Sequence, residues 1–164
     1  MDFIKIKNIL TSRIGSECIV DEELNALQPA LIIHPDFLLA VCKELKENRE
    51  TWFDFLSCLS GIDYGVNEGF GVVYHLSSIP YKTQLTLKVK LENLRDGSVL
   101  PSVDSVSTVW RTADWHEREA YDLLGIFFNG HPDLRRILLP DDWAGYPLRK
   151  DYQDAESYHG ISIN

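Results

Sequence analysis

Between Trp115 and Asp151 the chain reads WHEREAYDLLGIFFNGHPDLRRILLPDDWAGYPLRKD. Ion-pairing residues, glycines, prolines and large apolar side chains alternate there too irregularly for one helix or one strand. Pro140 and Pro147 block a continuous helix, and Gly145 permits a sharp bend. Such a stretch buries its own aromatics poorly, so it calls for a partner surface whose groups satisfy its charges and rings. The preceding residues then form the small domain that holds it. The expected division is an α+β domain over 1–112, followed by a helix and an extended, partner-wrapping arm over 113–164.

The upstream chain supplies the elements of that domain. Phe3, Ile6, Ile9, Leu10 and Ile14 fall near a 3.6 period, predicting an amphipathic helix over 2–15 that Gly15 ends. Cys18 to Val20 reads as a short strand and Ala30 to Ile33 as a buried one. Pro35 suits the first turn of a helix running to about Asn48, which buries Phe37, Leu38, Val41, Cys42 and Leu45. Trp52 to Leu59 fits either helix or strand. Phe70 to Leu76 and Gln84 to Leu91 are strands. In the second, Leu85, Leu87, Val89 and Leu91 alternate with Thr86, Lys88 and Lys90, as in a sheet wet on one side. Leu94 to Pro101 is turn-rich, and Ser102 to Trp110 suits a short helix. Asp114 and Glu117 have capping-box spacing for a helix that runs through Leu124 and stops at Gly125. The fold class is therefore α+β: a small, mostly antiparallel sheet with helices packed on one face, plus the extended C-terminal arm.

Charge narrows the partners. The chain has 25 acidic against 16 basic residues, a formal net charge of −9, the wrong sign for a nucleic-acid backbone or an anionic membrane surface. No run approaches the roughly 18 apolar residues of a membrane span, and the N-terminus lacks an unbroken signal-peptide core. A soluble, cytoplasmic protein is expected, meeting membrane only through other proteins. Cys18, Cys42 and Cys58 form no C-x-x-C pair, so their spacing offers neither a zinc site nor an iron–sulfur ligand set. They read as free thiols in a reducing compartment.

Candidate chemistry is sparse. His116-Glu117 begins like a zinc-protease motif, but the fourth residue on from His116 is Ala120, which binds no metal. Glu117, Arg118, Glu119 and Asp122 read instead as a charge cluster, with Arg118 and Asp122 one turn apart and positioned to pair. His131, between Gly130 and Pro132, suits a turn into a short helix over Asp133 to Leu138. A hydrolase using His131 and Glu117 as acid and base is the enzymatic alternative. No G-x-S-x-G elbow, Walker sequence or dinucleotide fingerprint accompanies them. Arg135-Arg136 and Arg149-Lys150 are basic islands in an acidic protein. With Trp143, Tyr146 and Pro147 between them, they read as anchors of a docked segment. The polar tail after Tyr152 is expected to stay mobile or to order on a partner.

Three blocks together resemble a known family. They are A-D-W-H-E-R-E-A-Y-D-L-L-G-I from Ala113, G-H-P-D-L-R-R-I-L from Gly130, and Y-P-L-R-K-D-Y from Tyr146. Their pattern is similar to that of the C subunit of respiratory complex I, the 30 kDa subunit family of NADH:quinone oxidoreductase. The E-R-E-x-x-D core falls on Glu117, Arg118, Glu119 and Asp122. The G-H-P-x-L-R-R block places His131, Pro132, Arg135 and Arg136, and P-L-R-K-D falls on Pro147, Leu148, Arg149, Lys150 and Asp151. The resemblance implies a partner interface at these residues. It also implies a cofactor-free structural subunit of complex I supporting the D subunit, which carries the quinone site, beside the B and I subunits. FMN, iron–sulfur clusters and quinone would sit in those partners, and NADH oxidation would be coupled to ion translocation. The implied location is peripheral, on the cytoplasmic side of the bacterial inner membrane. Related arms in energy-converting hydrogenases and ferredoxin-fed complexes are the alternative assemblies.

Overall fold

A computed structural model of the chain describes residues 2–25, 28–95 and 99–162. Its centre is a five-stranded sheet in the order β1-β2-β5-β4-β3. The strands are β1 (Ile19–Glu23), β2 (Ala30–Ile33), β3 (Phe55–Gly65), β4 (Gly69–Ser78) and β5 (Thr83–Leu91). Within this sheet only β2 and β5 run parallel; the other neighbours are antiparallel.

Register explains why one face is dry. Tyr74 stands opposite Leu87 and Val72 opposite Val89, while Leu31 and Ile33 of β2 meet the same two β5 residues from the other side. Because side chains alternate along a strand, these rows share a face. Helices α1 (Phe3–Arg13) and α2 (Leu38–Glu47) cover it, with Ile6 and Leu10 from α1 and Val41, Cys42 and Leu45 from α2 in the same buried cluster. Asp2 caps α1 by accepting the Ile4 amide, which satisfies one of the otherwise unpaired donors of its first turn. The apolar stripe of α2 is present, and β5 buries Leu85, Leu87, Val89 and Leu91 as expected, but its other face is not wet throughout, because Thr86 is buried too.

The ambiguous run after Trp52 resolves as strand: Phe55 to Leu59 opens β3, which pairs with β4 along its length. Ser102 to Trp110 is not a helix. It begins as β6 (Ser102–Asp104), pairs in parallel with β7 (Phe127–Asn129), and continues in turns. Local side chains explain the difference. Ser105 Oγ accepts the Ser107 amide and the Glu117 carboxylate takes the Val106 amide, so these donors are drawn away from helical partners. The turn-rich stretch expected over 94–101 lies partly outside the described residues, at 96–98.

Helix α3 (Ala113–Leu124) lies over β3 and contributes Ala113, Ala120 and Leu124 to the same core as the sheet. Asp114 does not cap it. Thr112 occupies that position without a side-chain bond, and Asp114 sits in the first turn, where a carboxylate still favours the helix dipole. Gly125 ends the helix as expected, at φ 67°, a left-handed conformation that glycine adopts without a Cβ penalty. No helix among the described residues is long and apolar enough to cross a membrane. The polar tail carries a small hairpin of β8 (Ser157–Tyr158) and β9 (Ile161–Ser162). Tyr158 packs there on Trp143, with ring centroids 5.2 Å apart.

Candidate functional site

Two acidic residues of α3, Glu117 and Asp122, point inward and are met by the chain's own atoms. Asp122 is fully buried and receives four donors. Arg136 Nη1 lies 2.7 Å from its Oδ1, while the amides of Ile137, Leu138 and Leu139 converge on Oδ2 at 3.0, 2.7 and 2.9 Å. Burial pushes its carboxyl up, but those amides and the Arg136 guanidinium outweigh it, and the pKa falls below the ordinary value. This geometry also explains why Asp133 to Leu138 is not the expected helix: amides 137–139 turn toward a carboxylate on another element instead of the carbonyls behind them.

Arg136 donates further to the carbonyls of Trp143 and Gly145 at 3.0 and 2.9 Å, fixing the bend that Gly145 permits. Arg118 does not pair with Asp122. It donates to the carbonyls of Arg135 and Arg136 at 3.2 and 3.3 Å, its guanidinium 5.7 Å from the Trp115 ring centre. One helical turn brings Arg118 and Asp122 to neighbouring positions, but the folded-back arm offers each a better partner.

Arg149 closes the end of α3. Its Nε donates to Leu124 O at 2.7 Å and its Nη2 to Gly125 O at 3.3 Å, satisfying carbonyls that a helix end leaves open. Its guanidinium also stacks near Tyr146 and Phe70. Next to it, the Lys150 amide donates to Asp63 Oδ2 at 2.8 Å. Asp63 further takes the Gly65 amide and Arg95, which also reaches Asp151 at 2.7 Å. Burial raises the Asp63 pKa, but Arg95 and the two amides lower it more, leaving it at about 2.

Glu117 is a different kind of site. It is completely buried; Ser105 donates its hydroxyl at 2.6 Å and Val106 its amide at 2.7 Å. Burial raises its pKa to about 7, against the lowering effect of those two donors and with a small push from Asp114. In place of the expected charge pairing, Glu117 is held by a hydroxyl and a main-chain amide. His131 approaches within 3.8 Å, but its Nδ1 accepts the Asp133 amide at 3.0 Å and its Nε2 lies 3.1 Å from Asp114 O. Both ring nitrogens are thus held in the turn that Gly130 and Pro132 shape.

The expectation that the arm's charges are satisfied only by a neighbouring protein does not hold for Arg118, Asp122, Arg136, Arg149, Lys150 and Asp151, all of which bond within the chain. Arg135 differs. Its side chain is 65% exposed and, among the described residues, pairs only with Asp133. Glu119, Pro132 and Leu148 are also exposed, and Pro147 is half-buried. The apolar surplus lies around this network: Trp115, Phe127, Leu138 and Leu148 are each more than 40% exposed. Sequence reading missed Asp63, Arg95 and Ser105. A lone carboxylate in the apolar run of β3 was the available signal for Asp63; Arg95 and Ser105 carried none.

Fold and network together define a small α+β domain whose C-terminal arm is fixed to it by buried ion pairs and carries an apolar outer surface. The family model for the respiratory-chain NADH dehydrogenase, 30 Kd subunit, matches residues 31–158, and the chain belongs to this family. The C subunit of NADH-quinone oxidoreductase from Chloroherpeton thalassium is 46% identical over 149 residues, covering 90% of this chain and 60% of that protein. This chain thus spans well under two thirds of that relative's length. The corresponding C subunit of Chlorobium phaeobacteroides is 49% identical over 119 residues, 73% of this chain and 69% of its own length. Among solved structures, the trypsin-resistant fragment of Nqo5 matches 70% of this chain and 89% of its own, at 29% identity and a TM-score of 0.54. A chain of an archaeal membrane-bound sulfane sulfur reductase shares the fold at a TM-score of 0.71, with 20% identity over 92% of this chain and 84% of its own.

Proposed function

We propose that this chain is a non-catalytic structural subunit of NADH:quinone oxidoreductase, holding the D subunit and its quinone site in place beside the B and I subunits. In this reading FMN, the iron–sulfur clusters and quinone belong to the partners. The chain sits on the cytoplasmic side of the bacterial inner membrane and touches the bilayer only through the complex. One observation carries the reading: Trp115, Phe127, Leu138 and Leu148 lie exposed over a backing whose charges are already satisfied. Large apolar anchors on a rigid base suit a protein–protein interface, since they lose little freedom on docking and exclude water when buried. The exposed family-motif residues Glu119, Pro132 and Arg135 would form its polar rim.

Purification from the native host through a tag on this chain tests the reading. The expected result is co-elution of flavin- and iron–sulfur-containing subunits, visible in the absorption spectrum, with recovery sharply reduced by Leu138→Asp. A chain that elutes alone would overturn it. Hydrogenase or ferredoxin-oxidising subunits in the eluate would assign the chain to a related complex instead.

A further inference from the structure

The central sheet ends in two unlike edges. β1 is five residues long and carries Asp21, Glu22 and Glu23, the kind of charged guard that keeps an edge from pairing with other chains. β3 is eleven residues long, and its one charged side chain, Asp63, is buried against Arg95 and Lys150. On the side away from β4, the main chain of β3 is engaged by the described residues only toward its two ends. Thr112 Oγ1 donates to Leu56 O at 3.4 Å, Lys150 Nζ to Tyr64 O at 3.2 Å, and Arg95 Nη2 to Gly65 O at 2.8 Å. Between these points, over 57–63, no group among the described residues bonds to the main chain on the side away from β4.

Ser57 lies at a bulge in the β3–β4 ladder; from Cys58 to Asp63 alternate residues of this antiparallel edge strand turn both N–H and C=O outward, a row of open donors and acceptors about 20 Å long at roughly 3.3 Å per residue. α3 does not cover the row. A Cβ built on Gly61 would meet Leu124 Cδ1 at 2.7 Å and Ala120 Cβ at 3.2 Å, so the helix lies over the sheet's face rather than along its edge. Between helix and strand runs a groove of about 160 Å³ lined by Leu59, Gly61, Ala120, Leu123 and Leu148. On its wall are Glu119, which has no ion-pair partner among the described residues, and His116, whose Nδ1 is buried without a hydrogen-bond partner.

We propose that residues 57–63 of β3 accept an extended segment of a partner subunit as a sixth strand. One apolar side chain of that segment enters the groove between β3 and α3, and a lysine or arginine of it stands opposite Glu119. The inference rests on the reading of this chain as an assembly subunit and names how a partner is held. Main-chain pairing along an open edge supplies affinity, and the flanking groove selects the side chains. The chemistry of the occupant follows from the site: backbone for the edge, an apolar residue for the leucine-lined groove, and a positive charge for the unpaired carboxylate in a chain of net charge −9.

Hydrogen exchange on the tag-purified complex and on the full chain alone tests this. The outward amides within 57–63 are expected to exchange at least ten times more slowly in the complex. Glu119→Lys should reduce recovery of the complex several-fold, with Glu119→Gln intermediate. Unchanged edge exchange, with 134–139 newly protected, would overturn the strand addition while leaving the assembly reading intact. Edge protection in the full chain alone, accompanied by a dimeric mass, would overturn it in favour of a second copy as occupant. Failure of any subunit to co-purify would overturn the assembly reading itself.

Discussion

The carboxylate of Asp122 holds Arg136 at 2.7 Å from inside the domain, and this contact turns a proline- and glycine-rich tail into a fixed surface. Asp122 also takes three amides from the arm, so its loss would strand a largely buried guanidinium and three donors at once. Breaking a buried pair of this kind costs about 3–5 kcal/mol, a large share of the roughly 5–15 kcal/mol that holds a domain together. Asp122→Ala is expected to lower stability by that amount in denaturant unfolding and to open the arm to trypsin after Arg135 and Arg136. A loss below about 1 kcal/mol, within the range of exposed pairs, would show that the arm is held elsewhere.

Glu117 predicts an unusual pH dependence. Its folded pKa of about 7 lies above the ordinary 4.5, so the folded state binds a proton that the unfolded state has released between those values. Stability from this group is then greatest below about pH 4.5 and declines as pH rises toward 7. Each tenfold change in proton affinity between the two states is worth about 1.36 kcal/mol, which makes the decline roughly 3 kcal/mol. Glu117→Gln keeps an acceptor for the Val106 amide and a polar partner for Ser105, and should flatten the curve across this window. Asp63, at about 2, acts in the opposite sense: its contribution is present above its unfolded value near 3.8 and is lost as pH falls toward 2. Melting temperatures from pH 3 to 8 for the parent and Glu117→Gln proteins separate the two effects; parallel curves would refute the Glu117 assignment.

Periodicity made α2 and β5 legible in the sequence, because a burial stripe repeats at a fixed spacing that needs no knowledge of neighbours. The motif residues of the arm were legible as a set but not in their connections. Nothing in local spacing says that Asp122 would rather receive the amides of 137–139 than meet Arg118 one turn away. The choice depends on the arm folding back across α3, a contact between positions about fifteen apart. The misread helix at 102–110 has the same origin: Val106 gives its amide to a carboxylate eleven residues downstream. Asp63 and Arg95 were missed because their partners lie in different elements, and an isolated charge in a strand or loop carries no period.

Gly61 lets α3 approach β3 closely, and this can be tested by size. An added Cβ would lie 2.7 Å from Leu124 Cδ1, 3.1 Å from Ile126 Cδ1 and 3.2 Å from Ala120 Cβ, so these side chains must give way, and larger side chains at this position press on the helix itself. Overpacking of this kind costs about 1–3 kcal/mol. Gly61→Val should lower the denaturation midpoint accordingly and, by lifting α3, weaken the protection of amides 137–139. A midpoint equal to that of the parent would mean that the helix is free to shift.

Adjacent arginines separate the arm's internal and external roles. Arg136 is largely buried and bonded to Asp122, Trp143 and Gly145, whereas Arg135 is exposed and, among the described residues, pairs only with Asp133. Arg136→Ala should therefore destabilise the isolated chain, while Arg135→Ala should stay within about 0.5 kcal/mol of it, as expected for surface substitutions. If Arg135 meets a partner, its removal lowers the amount of assembled complex; a loss of about 1.4 kcal/mol corresponds to tenfold weaker association. Unfolding curves and tag-based recovery of the complex, measured for both variants, distinguish the roles. A fully assembled but inactive complex with Arg135→Ala would point to direct chemistry at that side chain, and unchanged assembly and activity would remove Arg135 from the interface.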